Sequence, residues 1–283
     1  MTSGRILALT CLAMLAFAAN SIFCRVALRD TDIDPASFTA IRLCSGALTL
    51  WLILALRNQG QKLTGNWPSA LALFCYAALF SYAYTSLAAG TGALLLFGAV
   101  QVTMIGYALV QGEPFTPLRW LGLAVALAGL IGLMLPGLSA PPLLASLLMA
   151  GAGVAWGVYS LRGRSGGSPS LATAGNFIRS APLALLLGAV AWLAGTLEID
   201  PAGAFWAIAS GALASAIGYL IWYAALPHIS ATNAATIQLS VPVIAAVAGI
   251  ILLGEALTLR LVLTSIAILG GIALVIRQKP AST

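Results

Sequence analysis

Apolar blocks of about twenty residues recur along the chain, and short connectors rich in charged and turn residues separate them. A bilayer core about 30 Å thick is crossed by a helix of about 20 apolar residues, which satisfies its own backbone hydrogen bonds. We therefore predict an all-α polytopic membrane protein of ten transmembrane helices. The predicted spans are residues 5–28, 35–56, 68–87, 90–110, 118–135, 142–161, 171–195, 203–225, 230–252 and 259–277.

Composition supports a lipid environment over an aqueous one. The chain has 283 residues, of which 61% are hydrophobic and 7% are charged, whereas soluble domains carry about 25% charged residues. The net charge is +6, and membrane proteins place such an excess of Lys and Arg in cytoplasmic loops. No basic run is interleaved with aromatic residues, so we expect no nucleic-acid partner.

The distribution of charge predicts the orientation. With a cytoplasmic N-terminus and alternating helices, the inner side receives most of the basic residues, while the outer side holds the acidic connectors 30–34 and 198–200. We therefore predict a multi-pass protein of the cell inner membrane with both termini in the cytoplasm. The stretch from Arg5 to Ala18 resembles a secretory signal. Because apolar sequence continues to Phe23, we expect a retained first span.

An internal repeat divides the chain. The motif Gly-Glu-x-x-Thr begins at Gly112 and again at Gly254, 142 residues later, and each copy is followed by an apolar block with a glycine 17 residues on. The shift is half of the chain, so each half holds five spans. An odd number of spans inverts the second half relative to the first, a common plan in secondary transporters. We predict one repeat over 1–137 and an inverted repeat over 138–283.

Several short motifs resemble a known family. They are Pro35-x-x-Phe38-x-x-x-Arg42, Trp156 at the opening of the second half, Pro242-Val243, and the helix ending Leu252-Leu253-Gly254-Glu255. Together they are similar to the EamA-type family of the drug/metabolite transporter superfamily. The resemblance implies a central cavity, alternating access, and export of amino acids or related metabolites. The chain departs from the family pattern at Ala18-Ala19-Asn20, where relatives often carry Trp.

Aromatic and amide residues within the apolar spans are the candidate ligands of a solute. Amides are expensive in hydrocarbon and should face a partner or a wet cavity, and aromatic rings stack on amphipathic solutes. Arg179 lies within a span, where it would meet a substrate carboxylate. For any single residue, ordinary helix packing remains an alternative. The predicted substrate-binding residues are Asn20, Tyr76, Phe80, Tyr84, Gln101, Trp156, Tyr159, Asn176, Arg179, Tyr219, Trp222, Tyr223, Asn233 and Gln238.

Three polar residues have two interpretations each, and a fourth has one. Arg42 either extends its side chain to the outer surface from near its helix end or is a functional residue within the span. Glu113 and Glu255 either cap helix ends beside glycine or form part of a gate or proton pathway. His228, the only histidine, is expected to be a surface residue of a connector.

We predict a secondary exporter of neutral, most favourably aromatic, amino acids; the alternative is a broad-specificity drug/metabolite exporter. No ATP-binding loop is found in the sequence, so no ATPase activity or ATPase subunit is expected. An intramembrane enzyme acting on lipid-linked substrates would need clustered His, Asp or Glu, and the acidic residues here lie in connectors. The expected partners are a small-molecule solute and membrane lipid, with one chain as the functional unit and no metal or cofactor.

Overall fold

The computed structural model describes residues 3–57, 62–112, 115–137, 140–163, 168–229, 234 and 237–277. Within these ranges the fold is all helical. The helices are α1 (Ser3–Asp30), α2 (Pro35–Arg57), α3 (Trp67–Tyr84), α4 (Ala89–Val110), α5 (Pro117–Met134), α6 (Leu143–Arg162), α7 (Pro169–Leu193), α8 (Pro201–His228), α9 (Ser240–Leu253) and α10 (Leu259–Arg277). The predicted all-α polytopic fold is confirmed.

Several helices begin in the same way, with a polar cap followed by a proline in the first turn. Asp34 accepts hydrogen bonds from the N–H groups of Ala36 and Ser37 at the start of α2. Thr116 caps α5, and Asp200 caps α8. A side-chain oxygen at this position satisfies a backbone donor that has no partner within the helix, and proline fits the first turn because it lacks that donor.

Eight of the helices within the described ranges are long and apolar enough to cross a membrane by themselves. The exceptions are α3 and α9. Helix α3 has buried Ser69, Ser81 and tyrosines, and it packs against α6 and α7. Positions that face neighbouring helices do not need to be apolar, which explains the polar residues on the buried face of α3. The described part of α9 has 14 residues, and most of the predicted start of this span lies outside the described residues.

Helix pairing shows the inverted repeat. Helix α2 packs against α7, α4 against α9, and α5 against α10, so each of these helices contacts its counterpart from the other half. Helix α3 packs against α6 and α7, and its counterpart α8 packs in the same way against α1 and α2. The two motif glycines, Gly112 and Gly254, both follow a helix and both have positive φ, 80° and 64°. The halves are therefore related in their packing as well as in their sequence.

Helices α5 and α10 approach each other at glycines. A Cβ on Gly122 would lie 2.6 Å from the Gly271 carbonyl oxygen, and a Cβ on Gly271 would lie 2.5 Å from the Gly122 carbonyl oxygen. No side chain fits at either position. Small residues let helices pack closely in membranes, where association depends on van der Waals contact.

Helix α8 is interrupted by a π-helical segment, Ala209–Ile217. Gly211 in this segment lies against the Arg42 carbonyl and the Ser45 side chain of α2, leaving no space for a Cβ. π-Helical segments are uncommon and are often found at functional sites. Here the segment packs against α2, and Tyr219 and Trp222 follow it in the chain.

Candidate functional site

A cavity of about 440 Å³ lies between the two repeats, and both halves line it. Among the predicted residues, these line the cavity: Asn20, Tyr76, Phe80, Gln101, Trp156, Tyr219, Trp222, Tyr223 and Gln238. A volume of this size is in the range of small-molecule sites. Within the described residues, no aspartate or glutamate lines it.

Trp156 of α6 is at the centre of the aromatic wall. Its ring centroid lies 4.9 Å from that of Tyr76, 5.2 Å from Tyr219 and 5.3 Å from Tyr159. Phe17 of α1 extends the wall, at 5.7 Å from Tyr219 and 6.1 Å from Trp222. Such a wall offers both ring faces and ring edges, which suits an apolar or aromatic group.

A polar network forms one part of the lining. The Ser210 hydroxyl donates to Asn20 Oδ1 at 2.6 Å, and Asn20 Nδ2 donates to the Tyr76 hydroxyl oxygen at 3.1 Å. Asn20 thus joins α1, α3 and α8 through a side chain that lines the cavity. This satisfies part of the hydrogen-bonding capacity of a buried amide, as expected for an amide within a membrane protein.

Arg42 does not reach the outer surface, so that interpretation of the residue is wrong. The side chain is 1% exposed. Its guanidinium carbon lies 5.1 Å from the Tyr76 ring centroid and 4.9 Å from that of Phe80, and Nη2 donates to the Tyr76 hydroxyl oxygen at 3.0 Å. Tyr76 and Phe80 are on the neighbouring α3, and they hold the charge inside the bundle through cation–π contacts.

Four of the predicted residues that the structure describes do not line the cavity. They are Tyr84, Tyr159, Asn176 and Arg179. Tyr84 is fully buried and donates to the Ala89 carbonyl at 3.2 Å. Asn176 Nδ2 donates to the Tyr159 hydroxyl at 3.5 Å, and Asn176 Oδ1 accepts from the Asn66 N–H at 2.9 Å. These hydrogen bonds join helices to each other and to the connector before α3, so they stabilise the fold.

Arg179 is also outside the lining. Its Nη1 donates to the carbonyls of Thr64 and Gly175, at 3.0 and 2.8 Å. The side chain thereby fixes the connector before α3 against α7. The remaining predicted residue, Asn233, lies outside the described residues, as does Glu113. His228 is exposed, as predicted.

Several lining residues are not among those predicted from the sequence. They are Phe17, Ser21, Leu96, Phe97, Met104, Ser160, Gly163, Pro169, Ala214, Ser215, Leu226, Ile229 and Ala234. Phe17 could have been found, because it lies three residues before Asn20 and therefore shares its helix face. The apolar members carry no such signal, since a leucine in a span is equally suited to lipid.

Among the described residues, the helix ends that line the cavity are all on one side of the bundle. Gly163 at the end of α6, Pro169 at the start of α7 and Ile229 after α8 all line it. Because the helices alternate in direction, these positions are at the end of the bundle where α1 begins. We call this the terminal end, and the other the distal end.

The distal end is closed by polar contacts. Glu255 follows α9, and its two carboxylate oxygens each accept from the Ala89 N–H at 2.9 Å. Arg25 Nε lies 3.5 Å from Glu255 Oε1, and Arg25 Nη1 donates to the Tyr84 carbonyl at 2.9 Å. We call Arg25, Glu255 and Ala89 the distal clasp, and it joins α1, α4 and the connector after α9.

No group of three or more His, Cys, Asp or Glu side chains is placed to hold a metal within the described ranges. The four cysteines are unpaired.

Comparison with known proteins gives a consistent result. The model of the EamA-like transporter family matches residues 4–135 and, a second time, residues 143–277. The chain is 54% identical over 280 residues to the uncharacterized protein PA1977 of Pseudomonas aeruginosa, covering 99% of this chain and 97% of that protein. It is 25% identical over 262 residues to an uncharacterized transporter of Archaeoglobus fulgidus, covering 87% and 89% of the two chains.

A second transporter and a crystal structure extend the comparison. The uncharacterized transporter YwfM of Bacillus subtilis is 24% identical over 240 residues, covering 82% of this chain and 81% of that protein. A crystal structure 18% identical in sequence superposes with a TM-score of 0.65, covering 97% of this chain and 98% of that chain. At that identity the likeness supports the fold alone.

Proposed function

Because the chain belongs to the EamA-like transporter family, we propose that it is a secondary transporter that exports neutral, chiefly aromatic, amino acids by alternating access. Membership makes it a multi-pass membrane transporter of small molecules. The choice of solute depends on one observation: the cavity between the repeats is lined by aromatic rings and amides and, among the described residues, by no carboxylate. Such a lining suits the side chain of an aromatic amino acid.

The proposed orientation in the membrane follows from the charge bias. Basic residues concentrate on the side of the termini in the sequence, so we place the terminal end in the cytoplasm of a bacterial cell and the distal end outside the inner membrane. In this orientation the cavity is open to the cytoplasm and the distal clasp is closed. A cytoplasmic solute enters in this state, and opening of the distal end with closure of the terminal end releases it.

The proposal has three further parts. Within the family, we infer from the sequence motifs that the chain resembles the bacterial aromatic amino-acid exporter YddG. We also propose that one chain suffices for transport, since the cavity is formed by the two halves of a single chain, and that the protein has no enzymatic activity.

Transport of labelled phenylalanine into proteoliposomes tests the proposal. Vesicles that contain the purified protein should take up phenylalanine faster than empty vesicles. Measurements with and without a proton gradient should show whether transport is coupled to protons. Ala214 lines the cavity, while its neighbour Leu213 is 55% exposed on the outer face. Ala214→Phe should therefore block transport by filling the cavity, and Leu213→Phe should preserve it.

Two outcomes would contradict the proposal. One is that no amino acid moves above the rate of empty vesicles. The other is that bulky organic cations compete with phenylalanine as effectively as tryptophan and tyrosine do, which would indicate a broad-specificity drug exporter. A monodisperse elution profile for both phenylalanine variants is required as evidence of folding.

A further inference from the structure

Arg42 is a buried cation whose hydrogen-bonding capacity is mostly unused. A guanidinium has five N–H donors. Nη2 donates to Tyr76, whereas Nε and Nη1 are buried and have no hydrogen-bond partner among the described residues. The ion pairs in the same ranges are Arg25–Glu255 and Arg29–Asp30, so Arg42 is not neutralised by a described carboxylate.

Such a charge is energetically unfavourable in a membrane protein unless an anion or hydrogen-bonding partners compensate for it. A buried charge without that compensation is therefore a candidate functional residue. The rings of Tyr76 and Phe80 compensate for part of the desolvation, but they carry no net charge. The region around Arg42 therefore keeps a positive electrostatic potential. Since Tyr76 and Phe80 also line the cavity, that potential extends into the space a solute occupies.

Tyr76 connects the charge to the cavity. Its hydroxyl oxygen accepts two hydrogen bonds, one from Arg42 Nη2 and one from Asn20 Nδ2. With both acceptor positions occupied, the phenolic hydrogen remains to be donated to another group. A cationic donor on the same oxygen strengthens that donation.

We propose that Arg42 and Tyr76 form an anion subsite that binds the carboxylate of the transported solute. This inference rests on the proposed function and specifies its substrate class. The carboxylate accepts a hydrogen bond from the Tyr76 hydroxyl, whose oxygen in turn accepts one from the Arg42 guanidinium. The apolar part of the solute lies against the aromatic wall around Trp156. Solutes that carry only a positive charge bind more weakly.

The expected selectivity follows from the distances. The Nη2–Oη distance of 3.0 Å and an O–H···O distance of about 2.7 Å place a bound carboxylate about 6 Å from the guanidinium. At that separation and an effective dielectric constant of about 20, Coulomb attraction changes a binding constant by roughly a hundredfold. An ammonium group at the same place is repelled to a similar extent.

Three ligands that share one ring and differ in charge test the subsite on the unmodified protein. They are phenylalanine, 3-phenylpropionate, which keeps only the carboxylate, and 2-phenylethylamine, which keeps only the ammonium group. Binding is followed by the fluorescence of the tryptophans, because Trp156 and Trp222 line the cavity. We expect 3-phenylpropionate to bind and 2-phenylethylamine to need at least about tenfold higher concentration, a conservative share of the calculated factor.

Variants assign the selectivity to these two residues. Arg42→Gln should weaken binding of 3-phenylpropionate by roughly tenfold to a hundredfold through loss of the Coulomb attraction. Tyr76→Phe should weaken it by roughly tenfold to a hundredfold through loss of a charge-assisted hydrogen bond. Arg42→Lys should retain part of the preference because it keeps the charge. Arg260→Gln is the matched control, since it removes one positive charge from a side chain that donates to the Leu135 carbonyl outside the cavity lining.

Binding and transport are read separately, so the two proposals fail in different ways. If the unmodified protein binds 2-phenylethylamine as well as 3-phenylpropionate, or binds none of the three ligands, the subsite is disproved. Retention of the full preference by folded Arg42→Gln also disproves it. Selective binding without any transport of phenylalanine would support the subsite and refute the proposed function.

Discussion

Glu255→Gln is expected to weaken the closure of the distal end. Arg25 and Glu255 are nearly buried, with side chains 14% and 10% exposed. Glutamine keeps an oxygen that can accept from the Ala89 N–H, so the substitution removes the charge and leaves the backbone donor satisfied. Losing a charge-assisted interaction at a nearly buried site costs about 1.5–3 kcal/mol. The population of the closed distal end relative to an open one should therefore fall roughly tenfold to a hundredfold.

Thiol labelling measures this change. The four native cysteines are replaced, and a cysteine is introduced at Ser21, which lines the cavity. In intact cells, a membrane-impermeant maleimide approaches from the distal end under the proposed orientation. Glu255→Gln should raise the rate of labelling by up to the same factor, because the reagent reaches Ser21 only when the distal end opens.

The matched control is Glu198→Gln. Glu198 is also an acidic residue of a distal connector, but its side chain is exposed, and its hydrogen bonds to Asp34 are made by its backbone N–H and carbonyl. This variant should label at the parental rate. Equal rates in all three proteins, or the same increase with Glu198→Gln, would refute the role assigned to the distal clasp.

Three further predictions concern the wall, the packing and a cap. Trp156→Ala should lower phenylalanine transport by about tenfold through loss of one stacking partner, while Trp156→Phe should keep most of it; initial rates in proteoliposomes measure both. Gly271→Val should prevent folding because its Cβ meets the Gly122 carbonyl, whereas Gly270→Val should fold, since nothing lies within 4 Å of a Cβ there; the elution profiles decide. Asp200→Ala should lower the thermal midpoint through loss of the helix cap, and Asp200→Asn should lower it less, because asparagine also caps helices. Although desolvation acts to raise it, hydrogen bonds from the first turn hold the pKa of Asp200 below its usual value, so its contribution is present above the ordinary aspartate range and lost on acidification.

The overall architecture was predictable because lipid imposes a simple constraint. Each span must be a helix of a certain length, so the apolar blocks indicated the number and order of the helices. The repeat was visible in the Gly-Glu-x-x-Thr motif because both copies need a glycine with positive φ after a helix, at Gly112 and Gly254. Helix ends were less certain: α8 extends to His228, whereas its predicted end was 225.

The environments of the arginines were not predictable. Arg42 lies close to the start of α2, a position from which a long side chain often reaches water. Its burial depends on Tyr76 and Phe80 of another helix, and spacing along one helix carries no information about that contact. The position of Arg179 within its span predicts contact with a solute. Instead, the connector before α3 lies against α7, and its Thr64 carbonyl accepts a hydrogen bond from Arg179.

The lining was predictable only where residue type is informative. Amides and aromatics in apolar spans have few acceptable environments, and Asn20, Tyr76, Trp156 and Trp222 all line the cavity. Leu96 and Met104 line it too, but the same side chains are common on surfaces that face lipid. Distinguishing the two requires the helix orientations, which come from packing between the halves.

The π-helical segment Ala209–Ile217 determines the direction in which the second half of α8 faces. A π-helix turns less per residue than an α-helix, because its hydrogen bonds join residues five apart. Tyr219 and Trp222 therefore point elsewhere than a continuous α-helix from Pro201 would direct them. Their place in the aromatic wall therefore depends on the backbone winding, and a shift between the two kinds of winding would rotate both rings together and reshape the chamber.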